Sequence, residues 1–246
     1  GTELGLITVM YNAQTGINGL FSSFHIGFAA FIVTLFIGLT GFVVVRLREM
    51  KVKSIPEYYN IRFGPKTRIL GAILLCLGGI LNMGLFLKVG AIFIQTIFGL
   101  NNDDNLLVII MFALIVLVLI YTISGGMISV IVTDYIQFVI LSIGFIFCIF
   151  FSIKTLGWNS LFTDLEILVG KGENNQIQKI YNPLSRMGGF YISWQVVLGF
   201  VSAVIWPTSI TRVLSIKSSD LVKKQYIWSS FSFLIRFLMP CFLGIC

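Results

Sequence analysis

The sequence predicts an all-α integral membrane protein, and three observations lead to this fold class. Hydrophobic residues make up 57% of the 246 residues, charged residues make up 11%, and the mean hydropathy is +0.96. A soluble domain carries about 25% charged residues, so this chain lacks the charge to cover a surface that faces water. The apolar residues also lie in long runs. At about 20 residues per crossing, the length allows six or seven membrane helices.

Apolar runs separated by polar clusters give the order of the elements. An amphipathic opening precedes two long apolar runs, and an acidic turn at Asp103 and Asp104 follows them. A nearly pure aliphatic segment comes next, and a glycine-rich turn at Gly125 and Gly126 separates it from a further span. A polar loop and two more apolar runs complete the chain. The predicted segments are 1–12, 13–45, 69–100, 106–121, 128–153, the loop 154–186, 188–213 and 226–246.

The distribution of charge predicts how the chain is oriented in the membrane. Residues 46–68 hold seven basic and two acidic side chains, a net charge of +5, and residues 212–224 carry a net +3. The acidic turn carries −2 and the loop 154–186 carries +1. Alternation of the spans brings both basic loops to one side, which the positive-inside rule identifies as cytoplasmic. The net charge of +7 is therefore a topology signal, and we expect no binding of nucleic acid.

Polar side chains inside the apolar runs are the candidates for function. A charge near the bilayer centre costs at least about 2.5 kcal/mol on insertion scales, so such residues usually face a bundle interior or a water-filled cavity. Lys88 has a simpler explanation, because it can snorkel towards the acidic turn, and His25 and Asn82 can serve helix packing. Arg236 lies too deep in its run to snorkel cheaply. The full set is Glu3, Lys88, Asp134, Arg236, His25, Asn82, Gln137 and Gln195.

A helix break is predicted at Trp206 and Pro207, inside the span 188–213. Proline lacks the backbone N–H that a continuous helix needs. Transporters use broken helices to expose backbone amides and carbonyls to ions and substrate, and an ordinary kink is the alternative.

The chain has none of the motifs of a soluble enzyme. It contains a single histidine and lacks Ser-His-Asp, HExxH, P-loop and CxxC patterns. Intramembrane proteolysis would need paired aspartates, and Asp134 is the one aspartate inside a predicted span. We therefore expect neither an enzyme nor a bound cofactor.

Three local patterns resemble the sodium:solute symporter family, which includes sodium/galactose, proline, pantothenate and sialic acid carriers. They are SIPEYYNIRFGPKTRIL at residues 54–70, YTISGGMISVIVTDYIQ at 121–137 and PTSITRVLSIKSS at 207–219. The second pattern is the most specific, although Ser129 stands where the family usually has alanine.

The resemblance implies a part of the leucine-transporter-like bundle, in which two five-helix repeats are inverted relative to each other. On that mapping, residues 1–12 are the outer half of core helix one, and the next four spans are core helices two to five. Residues 188–213 are core helix six, and residues 226–246 are a truncated core helix seven. The chain starts with Gly1 and ends inside an apolar run, so we expect a fragment of a larger carrier.

The resemblance also implies a function and site residues. A symporter of this family imports a small organic solute together with Na⁺ across the plasma membrane by alternating access. Asp134 matches a Thr-Asp aspartate implicated in sodium passage, and Thr133 would add a hydroxyl ligand. Arg236 falls where sugar carriers place a substrate-contacting lysine, and Asn82 falls on an asparagine near the sugar site.

Two aromatic positions depart from the pattern of the sugar carriers. Phe21 and Phe24 fall near polar residues of core helix two that bind sugar. A galactose-like site is therefore in doubt, and an arginine beside aromatic walls would suit a carboxylate or another anion. Both an anion and a sugar stay open as solutes. The alternative function is a membrane-embedded sensor or receptor domain on a symporter scaffold, which a signalling domain beyond Cys246 would favour.

Overall fold

The computed structural model describes residues 5–100, 103–169 and 180–246, and all regular structure in these ranges is helical. Glu3, residues 101–102 before the acidic turn and residues 170–179 of the predicted loop lie outside the described residues. The all-α fold class is therefore confirmed. A 3-10 helix, Leu20–Phe24, follows the first α-helix. The α-helices are α1 Leu6–Gly19, α2 His25–Thr40, α3 Val44–Glu49, α4 Ile55–Phe63, α5 Pro65–Ile97, α6 Asp104–Leu156, α7 Trp158–Val169, α8 Pro183–Met187, α9 Gly189–Ile205, α10 Pro207–Ser215 and α11 Ser219–Ile245.

Five helical stretches among these residues are long and apolar enough to cross a membrane. Helices α9 and α10 form a bent pair that would supply a sixth crossing. Large apolar side chains on α5 and α6 are widely exposed, such as Leu81 at 74% and Ile123 at 79%. Surfaces of this kind fit lipid or further helices rather than water. The chain is a multi-pass membrane protein. The five stretches are Leu6–Thr40, Pro65–Ile97, Asp104–Gly126, Ile128–Leu156 and Ser219–Ile245.

The glycine-rich turn predicted between two spans takes the form of a kink. Helix α6 runs through this point, and its backbone departs from helical geometry at Gly126, with φ 57° and ψ −151°. A positive φ of this kind is readily adopted by glycine because it has no Cβ. Glycine at this position therefore lets two apolar helices follow each other with no intervening loop.

The chain divides into two compact units. The first comprises Gly1–Met10 and Leu74–Phe147, and the second comprises Tyr11–Ile73 and Cys148–Cys246. In the first unit, the amide of Gln95 donates to the backbone oxygen of Asp103 over 3.3 Å. This bond satisfies a side chain that is only 2% exposed, and it ties the end of α5 to the start of α6.

The second unit is organised around α2 and α11, which pack against each other in antiparallel directions. A Cβ atom on Gly27 would lie 3.2 Å from Cβ of Phe237, and one on Gly38 would lie 2.8 Å from the backbone nitrogen of Ile227. Small residues at these two points let the helix backbones approach closely. Helix α9 joins the pair through Tyr226, whose hydroxyl donates to the backbone oxygen of Ala203 over 2.8 Å.

The two basic segments predicted to share one side of the membrane lie together in the second unit. The guanidinium of Arg48 donates to the backbone oxygens of Ile216 and Lys217. Ser54 is the N-cap of helix α4, and its hydroxyl accepts a hydrogen bond from the backbone N–H of Glu57. The Glu57 carboxylate in turn accepts from the backbone N–H of Lys53 over 2.6 Å, which completes a reciprocal helix cap.

Candidate functional site

A cavity of about 700 Å³ lies in the second unit, and its lining includes several aromatic rings. We call it the aromatic cavity. Phe21 is central to it. Its ring stacks on Phe162 at 5.3 Å with an angle of 8° between the planes, and on Tyr181 at 5.8 Å with an angle of 15°. Phe24 meets Phe21 edge to face at 5.4 Å. The cavity therefore brings together two predicted solute residues and two rings contributed by the predicted loop 154–186.

The ring of His25 is also part of the cavity wall. Its Nδ1 lies 2.6 Å from the backbone oxygen of Ser22. A carbonyl oxygen can only accept, so Nδ1 carries the proton and Nε2 of the neutral ring is an acceptor. Nε2 is buried and has no hydrogen-bond partner among the described residues. The ring of His25 thus carries one buried acceptor that has no donor among the described residues.

Next to His25, three helices contribute a group of uncharged polar side chains. The ring of His25 meets that of Tyr191 edge to face at 6.1 Å. The side chain of Tyr191 interacts in turn with those of Tyr11 and Gln195. Helices α1, α2 and α9 therefore meet at a polar group beside an aromatic cavity. The sequence singled out His25 and Gln195 as polar residues in spans, but it could not indicate that they lie close together.

Arg236 lies elsewhere in the second unit. Its guanidinium carbon lies 5.1 Å from the ring centre of Phe233 and 4.9 Å from that of Phe237, both on its own helix. These distances are those of cation–π contacts. Arg236 is not among the residues that line the aromatic cavity. The structure therefore does not bring Arg236 together with Phe21 and Phe24 in one cavity.

The two residues predicted for the sodium pathway lie side by side on α6, after the kink at Gly126. Asp134 and Thr133 are both half-buried. The Thr133 hydroxyl donates to the backbone oxygens of Ser129 and Val130, each over 3.0 Å. Its oxygen lone pairs remain able to accept or to bind a cation.

Asn82, the other predicted solute residue, is half-buried on α5. It belongs to the first unit, as do Asp134 and Thr133, whereas the aromatic cavity belongs to the second. No group of three or more His, Cys, Asp or Glu side chains is placed to hold a metal ion in the part of the chain that the structure describes.

The structure has a helix break at the predicted position. Helix α9 ends at Ile205, Trp206 is extended with φ −61° and ψ 122°, and α10 begins at Pro207. The two helices are bent by 44°. Backbone groups on both sides of the break therefore lack a continuous helical ladder, as expected when proline interrupts a span.

Asn12 is a buried polar residue that the sequence analysis did not select. Its side chain is 0% exposed, and neither its amide nitrogen nor its amide oxygen has a partner among the described residues. Helix α1 also contains Gln14 and Asn18, so nothing in the sequence distinguished Asn12 from the other amides of this helix. Asn12 also ends the predicted segment 1–12, at the boundary with the span 13–45, so it was not predicted as a site residue.

Comparison with known proteins decides the family. The model of the sodium:solute symporter family matches residues 13–246, which is nearly the whole chain. The chain belongs to the sodium:solute symporter family. The three motif segments quoted above lie inside the matched range.

Individual members of the family match the chain over part of their length. Mouse solute carrier family 5 member 4A is 33% identical over 163 residues, covering 63% of this chain and 23% of the relative. Rabbit sodium/glucose cotransporter 1 is 32% identical over 178 residues, covering 68% of the chain and 24% of the relative. A putative sodium-dependent multivitamin transporter of Drosophila melanogaster is 24% identical over 205 residues, covering 80% of the chain and 32% of the relative. The chain thus spans a quarter to a third of these relatives, and no solved structure matches it.

Proposed function

We propose that this chain is part of a sodium-coupled symporter that imports a small organic solute across the plasma membrane by alternating access. The family match over residues 13–246 carries the proposal. Helices long enough to cross a bilayer and a broken helix support it, because transporters of this kind bind ions and solute where helices are interrupted. In the leucine-transporter-like arrangement of two inverted repeats, the chain would supply core helices two to six, together with parts of core helices one and seven.

Na⁺ would pass along α6 at Asp134 and Thr133. Sodium is a hard cation that prefers oxygen ligands, and this pair offers a carboxylate and a hydroxyl in adjacent positions. Coupling requires that the ion bind the two conformations of the transporter with different affinities. Asp134 should therefore affect sodium dependence more than the choice of solute.

Two groups of residues are candidates for binding the solute, and each group suits a different chemical class of solute. Arg236 would attract an anion or carboxylate through its guanidinium. Phe21 and Phe24 in the aromatic cavity would instead pack against the apolar face of a neutral ring, in place of the polar sugar contacts that the family resemblance implies. Glucose is named for the rabbit relative and several vitamins for the insect relative, so the relatives do not decide between the two.

The break at Trp206 and Pro207 would act as a gate. An extended residue between two helices can change its backbone angles at little cost, so that α10 moves relative to α9. Rocking about such a point would open the solute site alternately to the two sides of the membrane. The basic loops would lie on the cytoplasmic side of the bilayer.

Transport by the purified full-length gene product tests the proposal. In proteoliposomes, an inward sodium gradient should drive uptake of a radiolabelled solute, and a potassium gradient should not. The variant Asp134→Asn should raise the sodium concentration for half-maximal uptake about tenfold, while the exposed control Asp164→Asn should leave it unchanged. Unchanged sodium dependence in Asp134→Asn would remove this residue from the ion pathway. Solute binding without any transport would favour the sensor function instead.

A further inference from the structure

We propose that a basic cluster at the membrane boundary binds the headgroup of an anionic phospholipid, with an acyl chain lying along α11. The cluster comprises Arg48, Lys217, Lys223 and Lys224, from the two basic segments of the second unit. The inference goes beyond the proposed transport function, because it depends neither on the solute nor on the coupling ion.

The fold brings the cluster together from two segments that are far apart in the sequence. The Arg48 guanidinium donates from Nε and Nη2 to the backbone oxygens of Ile216 and Lys217, the second over 3.5 Å. These bonds leave Nη1 available to an anion. From α11, Lys223 reaches the link between α2 and α3, where its Cε would lie 2.9 Å from a Cβ atom on Gly41. Contacts at both ends of the short helix α3 therefore place it against the corner between α10 and α11.

Positive charge is in large excess at this corner. Residues 46–68 carry a net charge of +5 and residues 212–224 a net +3, and Lys217 and Lys224 are exposed. The carboxylate of Glu57 is already used in the helix cap by the backbone N–H of Lys53. Clusters of Lys and Arg beside a membrane helix attract anionic headgroups, and a phosphodiester accepts from several such donors at once. The positive-inside rule explains on which side the charges lie, but not why the fold gathers four of them.

An exposed apolar face continues from the cluster into the membrane span of α11. Lys224 lies in the second turn of this helix. Trp228, Phe231 and Ile235 follow it at spacings of four, three and four residues, so that all four side chains share one face. Trp228 is 74% exposed, and the other two are about half exposed. An indole next to basic residues suits the membrane interface, and the apolar side chains beyond it suit an acyl chain. A lipid uses both the cluster and this face, whereas a soluble anion uses the cluster alone.

Lipid binding by the purified full-length gene product tests the site. We would measure displacement of a fluorescent phosphatidylglycerol in detergent micelles by unlabelled phosphatidylglycerol and by phosphatidylcholine. The anionic lipid should bind about tenfold more tightly or better, and its affinity should fall as salt is added. Equal affinity for the two lipids would overturn the inference. Displacement of phosphatidylglycerol by inorganic phosphate at an equal concentration would also overturn it, because the site would then take a free anion.

Substitutions of two exposed lysines separate charge from packing. Lys217→Gln and Lys224→Gln should each weaken binding of phosphatidylglycerol about fivefold, the contribution of one basic residue at an anionic surface. Lys217→Arg and Lys224→Arg keep the charge and should keep the affinity. The control Lys154→Gln removes an exposed charge at the end of α6, outside the cluster, and should have no effect. Unchanged affinity in both cluster variants, or an equal loss in the control, would contradict the cluster as the headgroup site.

The apolar face is tested by Trp228→Ala. This variant should weaken binding of long-chain phosphatidylglycerol about threefold and leave binding of glycerophosphoglycerol, the headgroup without acyl chains, unchanged. Trp194→Ala, which removes an exposed indole from α9, is the matched control and should change neither. Normal binding of the long-chain lipid by Trp228→Ala would exclude an acyl chain from this face.

The outcomes also separate this inference from the proposed function. Selective binding of phosphatidylglycerol by a protein that shows no sodium-driven uptake would support the lipid site and contradict transport. Sodium-driven uptake by a protein that binds both lipids equally would support transport and contradict the lipid site.

Discussion

The guanidinium of Arg236 contacts two phenylalanine rings of its own helix, 5.1 Å from the ring centre of Phe233 and 4.9 Å from that of Phe237. Cation–π contacts of this kind contribute about 0.5–2 kcal/mol, more when the cation is shielded from water. They offset part of the cost of a charge in a membrane helix. The position of Arg236 is therefore explained in part by its own helix, whatever it binds.

Substitutions of Arg236 distinguish a solute contact from a packing role. If the guanidinium binds an anionic solute, Arg236→Gln should raise KM for that solute at least about tenfold. Arg236→Lys should raise it less, because lysine keeps the charge and loses the planar stacking. Initial uptake rates over a range of solute concentrations give both values. An unaltered uptake profile in both variants would remove Arg236 from the solute site, and a lowered thermal stability alone would assign it to packing.

Glycine at position 38 should be required for the contact between α2 and α11. In Gly38→Ala the new Cβ would lie 2.8 Å from both the backbone nitrogen and Cγ1 of Ile227, so one helix has to move. Overpacking of this kind costs about 1–3 kcal/mol, which should lower Tm by about 2–10 °C. Thermal unfolding in detergent measures this change. The matched control is Gly79→Ala on α5, where a Cβ meets nothing within 4 Å, and its Tm should stay close to that of the wild type.

Pro207 should be needed for movement rather than for stability. In Pro207→Ala the missing backbone donor is restored, so α9 and α10 can join into a straighter helix. We expect the maximal uptake rate to fall about tenfold while the protein remains folded. Pro65→Ala, at the exposed start of α5, is the control for loss of a proline elsewhere. A normal uptake rate in Pro207→Ala would argue against a gate at this break.

The predicted orientation can be measured with single cysteines. In a variant whose four native cysteines are replaced, Lys53→Cys should react with a membrane-impermeant thiol reagent only from the cytoplasmic side. Asn159→Cys, at the start of α7, should react only from outside. Both positions are exposed, so access within the protein does not limit the reaction. Labelling of both from the same side would show that the positive-inside assignment is wrong.

The sequence was sufficient to predict the helical membrane fold, because composition and apolar run length report directly on the surrounding solvent. Local breaks were also predictable where a residue type enforces them, as at Pro207 and Gly126. The 3-10 helix before His25 was not predicted. The segment contains no proline and no charged residue, so no residue type in it indicated a change of helix geometry inside the span 13–45.

The candidate site was predictable only one residue at a time. Phe21 and Phe24 were selected, and the structure places both in one cavity, yet their partners Phe162 and Tyr181 come from a segment that was read as a polar loop. The meeting of His25 with Tyr191 depends on the packing of α2 against α9. Contacts between helices far apart in sequence leave no trace in the hydropathy of either helix.

The antiparallel contact between α2 and α11 has a consequence for biosynthesis. Gly38 and Ile227 are 189 residues apart in the chain. At about 5–20 residues per second, a ribosome needs about 10–40 s to make that stretch. During this interval the closely packing face of α2 is already in the membrane without its partner. In the nascent protein, lipid or another protein therefore has to cover Gly27 and Gly38 until α11 is made.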